Sequence, residues 1–518
     1  MLQTSFFSCY RDKRILSVFV LGVASGFPWV LIGSALTLWL KDSGLSRSDI
    51  GYSGLIFAVY AINFFWSPIV DRVNMPLLSN YLGKRKAWII PCQFAMAILC
   101  IGLSYTSPEH SAKLVIFLAL LIAVSSSTQD IAIDAYRIDS FSSEESSALA
   151  TAAGAATAGW WTGYAGLGFI PLFLSDLDWQ WPQLYLLMTV FLGTLILLTI
   201  ALPKPKYSYS GQRDQDADIY LSAAQSMPFF VKLRLMSLVL SPIALAFWGF
   251  LGSFGAPAVI VNSTAYVPAL IICGLLLATI AAINLTLSMR YTNVINTRPS
   301  TFDSILARLL ASLCSPIKDF FQRNGLALAL YILLFIFLFK IGEAFLGRMS
   351  IVFYKEIGFS NTDIATYSKM LTWWVTIFSA LVAGAINAKL GLLKGLFISG
   401  VFMAVSNLMF SLIAYVGPSI PLYIATIIID GIATSWSLVA FVAFISALCN
   451  HRFSASQYAL LASLGALGRT TLSSMSGQIV DWLNGNWALF FMLTALMVLP
   501  SLILLMKLAK TTKLNERL

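Results

Sequence analysis

Residues 125–139 read SSSTQDIAIDAYRID inside a stretch that is otherwise apolar from about residue 112. At ~100° per residue of α-helix, Asp130, Asp134 and Arg137 fall on one narrow stripe, so two carboxylates and a guanidinium share a face. Charges inside an apolar helix cost about 2.5 to 3.5 kcal/mol each on insertion scales, so they are the first candidates for function. A partly dehydrated carboxylate is suited to take up and release a proton near neutral pH. At ~1.5 Å per residue from an outer start near Leu114, Asp130 lies about two-thirds of the way along, with Asp134, Arg137 and Asp139 towards the far end. Gln129 adds an uncharged donor and acceptor beside Asp130. Spacing alone is equally compatible with an ion-paired cluster that only fastens helix ends.

A second set follows at 339–348, FKIGEAFLGR. Lys340 and Glu343 are three apart and can neutralise each other on one face, as a static pair or as one that breaks during a working cycle. Arg348 is offset from both, and Asp430 and Arg469 are further isolated charges in apolar runs. Asp130, Asp134 and Glu343 are therefore the candidate proton carriers, and Gln129, Lys340, Arg348, Arg469 and Asp430 candidate substrate contacts, the cations for an anionic ligand. Trp160, Tyr164 and Trp373 offer ring faces on which a sugar could stack, although packing is the commoner role of such rings. There is no GxSxG, no Walker A sequence, no metal-ligand spacing and no CxxC among the six cysteines, so a membrane enzyme or an ATP-driven pump finds no support and no cofactor or metal is expected. Both histidines, His110 and His451, are expected in loops.

Apolar helices must position these groups. The 518 residues are 58% hydrophobic and 11% charged, with a mean hydropathy of +0.81, which leaves too little polar surface to coat a soluble particle. Apolar runs at about 15–40, 49–70, 86–105, 112–137, 147–174 and 183–202 make six spans. The runs at about 235–260 and 265–289 make two more, and those at about 326–353, 366–388, 392–415, 420–448, 456–482 and 487–507 a last six. The expected fold is an all-α polytopic membrane protein with 14 transmembrane helices. It divides into an N-terminal six-helix bundle (1–203), a cytoplasmic connection (204–232), two additional helices (233–290), a cytoplasmic or interfacial linker (291–323), a C-terminal six-helix bundle (324–508) and a cytoplasmic tail (509–518). The net charge of +10 is a topology signal: flipping sides at each span puts most Lys and Arg on the side of the N-terminus, so both termini are expected in the cytoplasm. Spread over short loops without interleaved aromatics, the charge argues against a nucleic-acid partner.

The two sets of six echo one another. The turn after the second span holds Asp71 and Arg72, then Gly83 and a basic run to Lys86; the turn after the matching span of the second set holds Lys389, Gly391 and Lys394. Such duplication builds secondary transporters whose halves rock about a central site. Asp71, Arg72, Arg137 and Asp139 are expected to form a gate at this end, with Asp71 and Arg137 locking it.

The 125–139 segment, GVASGFP at 22–28, WSPIVDR at 66–72 and CNHRFSASQYALL at 449–461 with Gly468 and Arg469 resemble the AmpG family of muropeptide permeases within the major facilitator superfamily. The resemblance runs through both halves and the two spans between them, and Gln129 and Asp130 match the family's motif. It implies a major facilitator fold and a monomeric, proton-driven importer in the bacterial cytoplasmic (inner) membrane. The substrates implied are the anionic glycopeptides made of N-acetylglucosaminyl-anhydro-N-acetylmuramic acid, with or without a stem peptide, for peptidoglycan recycling and β-lactamase induction. Ser146-Ser147-Ala148 after Glu144-Glu145 departs from the family's usual Arg-Gly. Acetyl-CoA transporters share part of the 125–139 pattern, so another anionic conjugate, such as acetyl-CoA or a siderophore, is the alternative substrate.

Overall fold

The computed structural model describes residues 8–510 except 46–52, 206–219, 233–299 and the short positions 74, 143, 176, 178, 222–223, 226, 230, 361–362 and 474. The two additional spans expected between the halves, and more than half of the connection before them, lie outside the described residues.

Six helical runs form the first half: α1 (Lys13–Asp42), α2 (the short pieces Gly54–Phe57, Ala58–Ile62, Asn63–Phe65 and Ser67–Arg72), α3 (Lys86–Ser104), α4 (Pro108–Asp139), α5 (Ser146–Trp161, continued by Thr162–Leu167 and Gly168–Ser175) and α6 (Trp181–Ala201). A linker helix, α7 (Thr301–Asn324), leads into α8 (Leu326–Ile357), α9 (Ile364–Leu371 continued by Thr372–Leu390), α10 (Leu392–Val416), α11 (Ile420–Leu448), α12 (Ser454–Ser473, then Ser476–Trp482) and α13 (Trp487–Ala509). Nine of these, all but α2, α5, α7 and α12, are single runs long and apolar enough to cross a membrane. Helices are the natural solution in lipid because every backbone N–H and C=O is satisfied within the segment. Beyond a kink at Ser111, α4 runs 28 residues to Asp139, about 42 Å and more than a ~30 Å hydrocarbon core; Glu109 and Lys113 lie at its start, and Asp130, Asp134, Arg137 and Asp139 in its last third.

α3 packs on α6, and α10 on α13, as outer pairs; the halves meet along two seams, α5 against α9 and α11, and α12 against α2 and α4. Small residues bring backbones together. A methyl at Gly159 of α5 would sit 2.3 Å from the Phe19 carbonyl oxygen of α1, and one at Gly154 would sit 2.7 Å from that of Ala380 of α9. The repeat seen in the sequence has a backbone counterpart: Gly83 and Gly391 end their helices at φ +82° and +84°, a left-handed turn that suits glycine. Three spans contain π-helical turns, Val30–Ser34 in α1, Thr162–Leu167 in α5 and Ile364–Leu371 in α9. α8 breaks at Phe339–Lys340 between Leu326–Leu338 and Ile341–Ile357.

Basic residues gather at one end of the bundle, among them Arg14, Arg85, Lys86, Lys389, Lys394, Arg452 and Lys507. We call this the basic end. The linker is an amphipathic helix, as its sequence suggests, and it does more than lie on a surface. Asp319 accepts from Asn450 Nδ2 at 3.0 Å and Gln457 Nε2 at 2.8 Å, pinning α7 to the α11–α12 turn.

Candidate functional site

At the basic end Arg85, just before α3, is fully buried. Its Nε is 2.7 Å from Asp139 Oδ2, and one terminal nitrogen reaches Asp71 Oδ1 at 3.0 Å and Ser454 Oγ at 2.8 Å. Asp71 also accepts from Ser456, both N–H and Oγ at 2.7 Å, and from the Ala455 N–H at 3.3 Å. Ser454 Oγ donates to Asp139 at 2.8 Å. The first half thus presents a carboxylate to the N-terminus of α12, whose exposed amides and dipole favour negative charge.

Asp71 and Arg137, both expected at the gate, each reach the other half but do not pair with one another. Asp71 pairs with Arg85, while Arg137 lies one turn from Asp134 on its own helix and is neutralised there (2.8 Å), reaching the other half by a 3.3 Å bond to Ser446 Oγ and by standing 5.0 Å over the Tyr458 ring. Asp139 belongs to the same network. Arg72 ends α2, and its side chain lies outside the described residues. The histidines also differ from expectation: His110 falls in the first turn of α4, and His451, in a short 3-10 turn, is largely buried with Nδ1 4.0 Å from Asp139. Burial lowers its pKa below the ordinary histidine value, against an opposing pull from Asp139.

Inside the first half, Ser25 of α1 donates to Asp130 Oδ1 at 2.6 Å. Among the described residues no lysine or arginine pairs with Asp130, in contrast to Asp134. Tyr60 of α2 lies close enough to interact with its charge and donates to Ser126 Oγ at 2.8 Å. Gln129, expected to touch substrate, is fully buried: its Nε2 donates to the Ala24 carbonyl at 2.8 Å, fastening α4 to α1, and its Oε1 has no partner among the described residues. The reason is helical: one residue before Asp130 turns the side chain about 100° away from the charged stripe.

In the second half Lys340 occupies the break in α8. Its ammonium donates to Glu343 and, at 2.7 Å, to Ser437 Oγ of α11, which itself lies 3.2 Å from Glu343. Asp430 accepts from Ser406 and is within electrostatic reach of Lys340 and Glu343; Arg469 acts on Lys340 from α12. Arg469 and Arg348 are exposed and make no ion pair among the described residues. The structure thus bonds Lys340, Glu343 and Ser437 to one another, with Asp430 and Arg469 within electrostatic range of Lys340, and leaves Arg348 apart from their pairing. Trp160 and Tyr164 stack on each other in the first half; Trp373, beside Trp374, belongs to the second.

Sequence reasoning missed Arg85, Ser454, Ser456, Ser25, Tyr60 and Ser437. Arg85 had a signal, its place in a basic run shortly after Asp71, but it was absorbed into topology. The hydroxyls had none, since serine is as common in packed spans as in sites.

A family model described as Acetyl-coenzyme A transporter 1 matches residues 14–111. The putative transporter AmpG 4 of Rickettsia conorii is 28% identical over 98% of both chains, and the anhydromuropeptide permease of Escherichia coli K12 is 24% identical over 99% of this chain and 84% of its own. Among solved structures, the proton:xylose symporter XylE bound to 6-bromo-6-deoxy-D-glucose aligns with a TM-score of 0.57 at 13% identity, over 97% of this chain and 96% of that one. The human organic anion transporter MFSD10 gives 0.53 at 14%, over 95% and 99%. The chain has the fold of the major facilitator superfamily and is similar, over nearly its whole length, to proteins named as AmpG transporters and as an anhydromuropeptide permease.

Proposed function

We propose that this chain is a proton-coupled secondary transporter that imports anhydromuropeptides into the cytoplasm. The observation that carries the proposal is the division of charge inside a major facilitator fold: a carboxylate that among the described residues has a hydroxyl and no cation as its partner in one half, Asp130 on Ser25, and the Lys340–Glu343 pair with Arg469 in electrostatic range in the other. In this reading Asp130 carries the proton, with Asp134 and Glu343 next in line, and the cations draw the carboxylates of the glycopeptide. The relatives named as AmpG and anhydromuropeptide permeases supply the substrate class. The basic end faces the cytoplasm of a bacterial inner membrane, as the distribution of Lys and Arg favours, with both termini on that side. The Arg85 network then shuts the cytoplasmic end in the arrangement described, and its release admits the substrate to the cell. The working unit is a monomer, since each chain carries both halves.

Uptake of labelled disaccharide-tripeptide into proteoliposomes under an imposed inward proton gradient tests this. Wild type concentrates the label and Asp130→Asn does not; equal gradient-driven uptake by the two removes Asp130 from the proton path. A second reading, transport of an acetyl-CoA-like conjugate, is favoured by the family match over residues 14–111. Competition by acetyl-CoA but not by unlabelled disaccharide in the same vesicles would select it.

A further inference from the structure

The charged groups leave unused a cluster of rings beside Asp130. Trp29, one turn after Ser25 on α1, has its ring centroid 4.8 Å from Tyr60 of α2 and 5.7 Å, edge-on, from Trp160 of α5. Trp160 lies 5.1 Å from Tyr164 with the planes 28° apart. All four rings are only half-buried, although three different spans converge on them. Tyr60 belongs to both environments, since its ring packs on Trp29 while its hydroxyl end interacts with Asp130. From the other half, Trp373 comes so near to α5 that a methyl at Gly166 would lie 3.5 Å from its Cζ2.

Two further observations point to a ligand. The buried indole N–H groups of Trp29 and Trp373 have no acceptor within the protein, which is uncommon for a buried donor and calls for a partner that arrives from outside. The π-helical turns also sit at these rings. Val30–Ser34 starts directly after Trp29, Thr162–Leu167 directly after Trp161, and Ile364–Leu371 ends two residues before Trp373. A π turn gives up regular α-helical bonding and is found disproportionately at functional positions.

We infer that Trp29, Tyr60, Trp160 and Tyr164, with the Trp373 indole, form a glycan subsite, so that the substrate binds with its N-acetylated pyranose rings against the first half and its peptide carboxylates towards Lys340 and Arg469 of the second. This rests on the muropeptide reading and adds its polarity. The C–H face of a pyranose stacks on an aromatic ring, and an indole N–H donates to a ring hydroxyl or an acetamido oxygen. The charge agrees: the ring cluster lies on the side of Asp130, where a peptide carboxylate would meet a like charge, and the cations lie opposite. A sugar seated there rests against Tyr60 and so adjoins the proton-carrying carboxylate.

The test is equilibrium binding to the full-length chain in nanodiscs with three labelled probes: the disaccharide with its lactyl carboxyl capped as an amide, the disaccharide-tripeptide and the free tripeptide. Trp29→Ala is expected to weaken the first two by the same factor, about tenfold or more, and Arg469→Gln to weaken only the peptide-bearing probes. Trp29→Phe and Trp373→Phe, which keep a ring and delete only the N–H, are expected to weaken the disaccharide about three- to tenfold and serve if Trp29→Ala fails to fold. Disaccharide binding within about twofold of wild type in the folded tryptophan variants overturns the subsite. Failure of wild type to bind either sugar probe overturns the muropeptide reading itself, so the two failures are distinct.

Discussion

Replacing Arg85 by alanine should open the basic end. Arg85 bonds both Asp71 and Asp139, and all three side chains are at least nine-tenths buried. Removing one member of a buried ionic group leaves the remaining charge uncompensated and costs about 3 to 5 kcal/mol. Here two carboxylates lose the guanidinium they share. Asp71 would keep its bonds to the N-terminus of α12, and Asp139 its bond to Ser454. Those bonds join the halves, so the strain falls on the closed arrangement; in an opened one the carboxylates regain water. If only about 3 kcal/mol of the cost acts differentially, the ratio of closed to open shifts by more than about a hundredfold, enough to invert an equilibrium that begins well on the closed side. Spin labels at Tyr81, on the short helix Pro76–Leu82, and at Leu390, at the end of α9, both exposed at this end, report it. Pulsed dipolar measurement should give one short distance population in the parent and a dominant longer one in Arg85→Ala. An unchanged distribution in a folded variant would refute the reasoning. Asp71→Asn should have a smaller effect, since Arg85 keeps Asp139 and the amide oxygen can still accept from Ser456.

Lys340→Met should destabilise the second half by about 3 to 5 kcal/mol because Glu343 is left buried without its cation, and Lys340→Met combined with Glu343→Gln should recover most of that loss in chemical denaturation without restoring uptake. Gly159→Ala should lower stability by about 1 to 3 kcal/mol, read as a fall in melting temperature, because its methyl would meet the Phe19 carbonyl at 2.3 Å with backbone on both sides. His451 has a pKa below that of the unfolded chain, so the folded state binds the proton less well. Its contribution to stability is present above the ordinary histidine range and is lost as pH falls through it, and His451→Gln should flatten the melting-temperature profile between about pH 7 and 5. Glu145, held down to about 2 by Arg14, supplies a separate component at lower pH that this variant leaves in place.

Span positions were readable because an apolar run long enough to cross a bilayer has few other fates. The stretch expected at 420–448 is the helix Ile420–Leu448, and that at 392–415 ends one residue later. Interruptions were not. Nothing in the composition around Trp29 or Trp161 separates a π turn from an α turn, and Lys340 at a helix break has the same neighbours it would have in a straight span. Local charge geometry was legible where three residues of helix bring partners together, as for Lys340 with Glu343 and Asp134 with Arg137. It was illegible where tertiary approach decides: Asp71 finds Arg85 across a turn and a short helix, and Ser456 across nearly the whole chain. Gln129 shows the limit from the other side. Its place beside Asp130 in sequence suggested a shared task, yet adjacent residues on a helix face different ways.

The two seams between the halves are built of different materials. At α12 the surfaces are held by charge, which water can replace when they part. At α5 and α9 they are bare backbone, with Gly154 set against Gly384 and the Tyr10 hydroxyl on the Leu381 carbonyl, too close for a single added methyl. One seam is a latch and the other a bearing. Substitutions at the latch should change how often the molecule opens, whereas substitutions at the bearing should change the path along which it moves.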